Sequence, residues 1–140
     1  MIKVISLVKR RPDMTVEQFR AHYEAQHARA GQAVFPGRAV RYFRRYFQPI
    51  EHPTDGSPKI EPEFDAIMEL WFENEAAMKE TLGLFVDSPL GDYIVEDEKG
   101  LFDRSKIRMF IVEEEETDLD ALPHRNVRQA EEYLGIPQAA

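Results

Sequence analysis

Cysteine is absent from this 140-residue chain. That removes disulfides, thiolate nucleophiles and cysteine metal sites together. Glycine-rich phosphate loops are missing too, with neither a GxGxxG string nor a GxxxxGK string in the sequence, so dinucleotide and P-loop chemistry is not expected. Positive charge is in deficit: 18 Lys and Arg stand against 26 Asp and Glu, a net charge of −8. A nucleic-acid partner is therefore not expected, because phosphate binding needs a basic surface. No apolar run approaches the roughly 18 residues that span a bilayer, and no membrane partner is expected. The opening MIKVISLVKRR passes straight into alternating apolar residues without the pattern of a signal peptide. A cytoplasmic location is the expectation. The serines have no nucleophile-elbow context, and Ser88 reads as a helix cap.

What is present suits one domain with a packed core. Hydrophobic residues make up 43% of the chain, 15 residues are aromatic, and nine prolines and seven glycines are dispersed along it. Residues 2–9 read as a strand. Thr15 followed by Gln18 fits a capping box, so a helix is predicted from about residue 16, with Gly31 as its stop. Residues 39–50 and 64–73 read as two further strands, separated by the Pro- and Gly-containing loop 51–63. Asn74 caps a helix predicted to run to about Val86, and Ser88-Pro89 opens another through Glu98. Residues 104–113 supply a fourth strand. The order β-α-β-β-α-β predicts an α+β, ferredoxin-like split βαβ sandwich with a four-stranded antiparallel sheet. Residues 1–114 form this domain. Residues 115–140 are read as an acidic C-terminal extension with a short helix capped by Asn126.

Helices on one side of such a sheet leave its other face open. Here that face carries Ile67, Trp71 and aromatics of the second strand, more apolar surface than a monomer ordinarily exposes. A homodimer through the sheet faces is predicted. Asp65 and Glu69 lie on the same strand face, too far apart for a carboxylate dyad, and each is expected to pair with an arginine of the second strand. Asp97, Glu98 and Asp103 are read as turn or interface carboxylates.

The chemistry is sought on the first helix. Val16, Phe19, Tyr23, His27 and Ala30 fall within a stripe about 80° wide at 100° per residue. A side chain that titrates near neutrality thus stands where leucine would serve for packing. His27 is the candidate general acid/base, and Tyr23, one turn earlier, is the candidate assistant that donates to a carbonyl or orients the ring. Phe19, Tyr46, Met68 and Leu70 are candidate pocket residues. Arg20 sits at the rim. His22 and His27, five apart, would be about 140° apart on a regular helix and cannot share a metal ion; no metal and no cofactor is expected.

The segments MIKVISLVKRRPDMTVEQFRAHYEAQHA, FDAIMELWF and EDEKGLFDRSKIRMFIVEE resemble, in order, three stretches of the EthD family. The first holds an F-R-x-x-Y-x-x-x-H helix, the second an Asp and a Glu before a Trp-Phe pair, the third an Asp-Glu pair ahead of Phe and Asp. The resemblance covers about residues 1–114. It implies a dimeric α+β barrel and a site between helices and sheet in which a histidine, here His27, moves protons. FDAIMELWF is also similar to methylmuconolactone methylisomerases, which carry a cysteine where this chain has Leu70, so their thiol chemistry is missing. The resemblance implies a cofactor-independent lyase, isomerase or cyclase acting on a small apolar carbonyl or aromatic substrate. Its alternatives are a non-catalytic ligand-binding or accessory component of a degradative oxygenase system, and a cofactor-free monooxygenase.

Overall fold

The computed structural model describes residues 1–56 and 60–138; residues 57–59 of the predicted 51–63 loop lie outside them. The chain runs β1 (Ile2–Val8), α1 (Val16–His22), a π-helical turn (Tyr23–His27), α2 (Ala28–Val34), β2 (Arg41–Tyr46), β3 (Ala66–Phe72), α3 (Glu75–Gly83), α4 (Pro89–Lys99), β4 (Arg108–Val112) and α5 (Val127–Tyr133). The strands form one antiparallel sheet in the order β2-β3-β1-β4. This is the ferredoxin-like α+β arrangement expected of two interlocked βαβ units.

The caps are where the sequence places them. Thr15 accepts from the Gln18 amide while the Gln18 side chain accepts from the Thr15 amide, satisfying two orphan donors reciprocally. Asn74 and Ser88 accept from Ala77 and Gly91 in the same way. Gly31 differs from expectation. It does not end the helix but lies inside α2, which runs on to Val34. A Cβ there would stand 2.7 Å from the Tyr42 ring and 2.8 Å from Phe35. The missing side chain therefore serves close packing of a strand aromatic against the helix. The stripe also narrows, because Val16 is exposed. β4 begins at Arg108, after a 3-10 turn over Arg104–Lys106.

A tighter glycine contact holds the first turn of α4 against the segment that follows α3. A Cβ on Gly91 would come within 2.0 Å of the Phe85 carbonyl oxygen, and backbone cannot step aside as a flexible side chain can. Gly91→Ala is expected to cost about 3 kcal/mol by overpacking, read as a lower chemical-denaturation midpoint at unchanged slope.

The helix side of the sheet buries two apolar clusters. One joins Val8, Phe19, Tyr23, Ala28, Ala66, Leu101 and Phe102; the other joins Val4, Phe35, Leu70, Phe72 and Met78. Among the described residues no helix packs on the opposite face. Cross-strand register places three rows on it: Arg41-Trp71-Lys3-Val112, Phe43-Glu69-Ile5-Phe110 and Arg45-Ile67-Leu7-Arg108. Glu69 meets Arg45 of β2 at 3.2 Å, as expected. Asp65 does not pair with β2. It is buried at the end of β1, where it accepts from the Arg10 amide at 2.8 Å and pairs with the Arg10 and Lys9 side chains. The strand pairing sets this outcome, since the Asp65 amide bonds the Val8 carbonyl and holds the carboxylate beside the turn that follows β1. No helix among the described residues is long and apolar enough to cross a membrane.

Candidate functional site

A cavity of about 460 Å³ opens between the two apolar clusters, within the range of small-molecule sites. Val8, Phe35, Met68, Leu70, Phe85, Ile94, Phe102, Ile107 and Met109 give it apolar walls; Ser6, Tyr23, His27, Tyr42, Glu98 and Arg104 bring the polar groups. Of the residues read from sequence as a site, His27, Tyr23, Met68 and Leu70 line this cavity. Phe19 and Tyr46 do not. Phe19 is fully buried beneath it, edge-on to Tyr23 at 5.8 Å and to Tyr46 at 6.3 Å. Tyr46 is half-buried against the first cluster, away from the cavity, with Arg20 stacked 4.6 Å from its ring centroid.

The π-helical turn sets the geometry of His27. The Ala28 amide donates to the Tyr23 carbonyl five residues back, so the chain advances by one extra residue per turn. Residues five apart then stack on one face, as residues four apart do in an ordinary helix. His22 and His27 are brought to the same side, contrary to their separation on a regular helix. Both meet Asp97 of α4: His27 Nδ1 lies 2.7 Å from Oδ2, and His22 Nε2 lies 3.3 Å from Oδ1. The His27 side chain is 12% exposed and that of His22 26%. Tyr23 and Phe102 each stand edge-on to the His27 ring at 5.2 Å. The imidazole is thus held at its Nδ1 edge by the carboxylate and flanked by two aromatic rings while it borders the cavity. Because a carboxylate only accepts, Nδ1 of His27 is the donor in this contact, which leaves Nε2 as the ring nitrogen outside the Asp97 contact.

Sequence reasoning passed over Asp97 as a turn carboxylate, and over Glu98, Tyr42 and His22. A signal was available in α4: after Ser88-Pro89 fixes the start, Ile94, Asp97, Glu98 and Leu101 follow helical spacing, which puts the acids beside the apolar face. The π turn has no such signature.

The turn itself is held from β2. Arg44 grips Glu24 with two hydrogen bonds, 3.0 and 2.6 Å, and the Tyr46 hydroxyl donates to Glu24 at 2.5 Å. The Arg44 bonds hold the Glu24 carboxyl below its ordinary pKa. A depressed folded-state value means stability that is present above about pH 4.5 and lost as the pH falls through the folded value. Wild type is therefore expected to melt higher than Glu24→Gln at pH 7, with the gap closing as the pH falls through the depressed folded value. Burial pushes the Tyr23 hydroxyl well above the usual phenol value and the Tyr42 hydroxyl up to about 12. Both are proton donors at neutral pH, and neither serves as a base. Among the described residues no cluster of His, Asp and Glu is disposed to hold a metal ion.

Comparison with known proteins decides the family. The sequence model of the EthD domain matches residues 11–105. The chain belongs to the EthD family. A solved EthD family protein from Bacillus halodurans shares 17% identity with a TM-score of 0.54, covering 82% of this chain and 99% of its own. A protein from Arabidopsis thaliana aligns with 15% identity and a TM-score of 0.55 over 85% of this chain and all of its own. A NIPSNAP-like domain protein from Burkholderia xenovorans reaches 18% identity and a TM-score of 0.50, over 88% of this chain and 89% of its own. At these identities the likeness shows the ferredoxin-like fold and nothing finer. A search among curated proteins finds no match. Within this EthD domain, the family-matched span contains His22, His27 and Asp97, which share the hydrogen bonds, and Tyr23, which stands edge-on to the His27 ring.

Proposed function

We propose that this EthD-family protein is a cofactor-independent lyase, isomerase or cyclase that moves a proton on a small, largely apolar carbonyl or aromatic compound. One observation carries the reading: a carboxylate-anchored imidazole borders an apolar cavity of about 460 Å³. His27 Nε2 is the base that takes a proton from a carbon next to the carbonyl. Asp97 stabilises the imidazolium that forms, in the manner of a carboxylate behind any catalytic histidine. The Tyr23 hydroxyl, kept protonated by burial, donates a hydrogen bond to the oxygen on which negative charge gathers. The proton then returns from Nε2 to a second atom, giving an isomer, or to a leaving hydroxyl, giving water and an alkene. The proton balance closes without an external oxidant or reductant.

The functional unit in this reading is a homodimer whose open sheet faces meet, supported by Phe43, Trp71, Ile5, Ile67 and Phe110 on a face that the chain's own helices leave bare.

Deuterium wash-in tests the chemistry. The protein is incubated in heavy water with a panel of cyclic and aryl ketones, and carbon-bound deuterium is followed by mass spectrometry. Exchange that is lost when Met68→Trp fills the cavity supports the reading. Compounds that bind without exchange at any carbon would make the protein a ligand carrier and overturn it.

A further inference from the structure

The C-terminal segment after β4 does not pack along the body of its own chain. Among the described residues its one side-chain hydrogen bond or ion pair to the body is Lys3–Glu114 at 2.7 Å. Yet it is organised. A 3-10 turn at Leu119–Ala121 precedes α5, Asn126 caps α5, and His124 stacks on Tyr133 with centroids 4.8 Å apart. Gly135, at φ 71°, closes the helix while the Ile136 amide bonds back to Glu131. A seven-residue helix is too short to persist in water unaided. Its apolar side chains nevertheless face outward: Leu119 is 72% exposed, Val127 74%, Leu134 69%. The concavity between the turn and the helix is lined by Leu119, Leu122, Val127 and Ala130, beside a buried His124 Nδ1 with no hydrogen-bond partner. This miniature is built to be covered.

Charge says by what. Six of the eight net negative charges of the chain lie beyond Val112, led by the run Glu113–Glu116. The open sheet face has the opposite balance. Lys3, Arg41, Arg45 and Arg108 stand on it against Glu69 alone. Arg41 rests on Trp71 at 5.5 Å, and Arg108 bonds only main-chain carbonyls. Two copies stacked by their sheets would bring these cations together unless carboxylates came with them, and the run starts where β4 leaves that same face.

We propose that residues 113–134 form an exchanged arm. In the dimer each copy lays its acidic run along the Arg41–Arg45 margin of its partner's sheet, and Leu119, Val127 and Leu134 cover the aromatic border around Phe43. This rests on the sheet-to-sheet dimer proposed above. Sedimentation equilibrium on full-length protein at low salt separates the two. The variants are Arg41→Glu with Arg45→Glu, Glu113→Lys with Glu115→Lys and Glu116→Lys, and the combination of all five; Glu114 is left in place because Lys3 holds it. Each set alone is expected to weaken the dimer at least about tenfold, and the combination to return to within about threefold of wild type. A wild type that is monomeric at 100 µM overturns the dimer and the arm with it. A wild-type dimer whose dissociation constant is unmoved by either set, or whose combined variant is no tighter than its parents, overturns the arm and leaves the sheet dimer standing.

Discussion

Replacing Asp97 with Ala is expected to lower turnover by about 10²- to 10⁴-fold, the usual worth of a correctly poised general acid–base, with the upper end matching loss of the carboxylate behind a catalytic histidine. The physical reason lies in one contact. His27 Nδ1 has its carboxylate partner at 2.7 Å, and that partner decides which nitrogen holds the proton. Without it an imidazole favours the Nε2–H form, which has no lone pair to offer on the Nε2 side. The loss of charge also removes the stabilisation of the imidazolium. A merely structural role for Asp97 would change stability and leave the tautomer alone, so the decisive readout is the long-range proton–nitrogen NMR spectrum of the His27 ring. Wild type is expected to show a protonated Nδ1 and a bare Nε2, and Asp97→Ala the reverse. His22 shares the same carboxylate at 3.3 Å, and His22→Gln is the control that should leave the His27 tautomer unchanged.

Phe19→Ala is expected to cost about 3–5 kcal/mol, the usual range for emptying a fully buried phenylalanine site. Phe19 has no solvent exposure and touches Tyr23, Tyr46 and Phe102 edge-on or tilted. These three rings sit in the π-helical turn, in β2 and in the segment just after α4, and none can collapse into the space without dragging its backbone. At about 2–4 °C per kcal/mol for a domain of this size, the melting temperature should fall by about 6–20 °C. Since Phe19 lies beneath the cavity and not on its wall, ligand affinity measured well below that melting point should hold within about threefold. A large affinity loss at preserved stability would place the residue in the site after all.

The contrast between these two residues shows what the sequence carries and what it hides. Helix starts were legible because a cap is a local event: Thr15, Asn74 and Ser88 need only the amides two or three residues ahead. The fold class was legible from the β-α-β-β-α-β order of the elements along the chain. Tyr23, His27, Met68 and Leu70 lie on the cavity wall, each reached by an inward periodicity on its own element. Phe19 shows the same periodicity, and nothing in a single helix face tells a cavity wall from a packed core. Asp97 was hidden for a different reason. Its partners are about 70 residues away in sequence, and the face they present depends on a π-helical turn that breaks the 100° rule used to place them. Gly31 was misread because a glycine near a helix end has two uses, a stop and a close approach, and only the position of the Tyr42 ring separates them.

The central claim is that His27 moves protons for a molecule held in the cavity. It is tested most directly by His27→Ala, with binding and turnover measured on the same compound, a ketone found to exchange its α-hydrogen in heavy water. The account predicts an exchange rate lower by about 10²- to 10⁴-fold, with a dissociation constant within about threefold of wild type and a folded, cooperative melt. Exchange at the wild-type rate in the His27→Ala protein would contradict it.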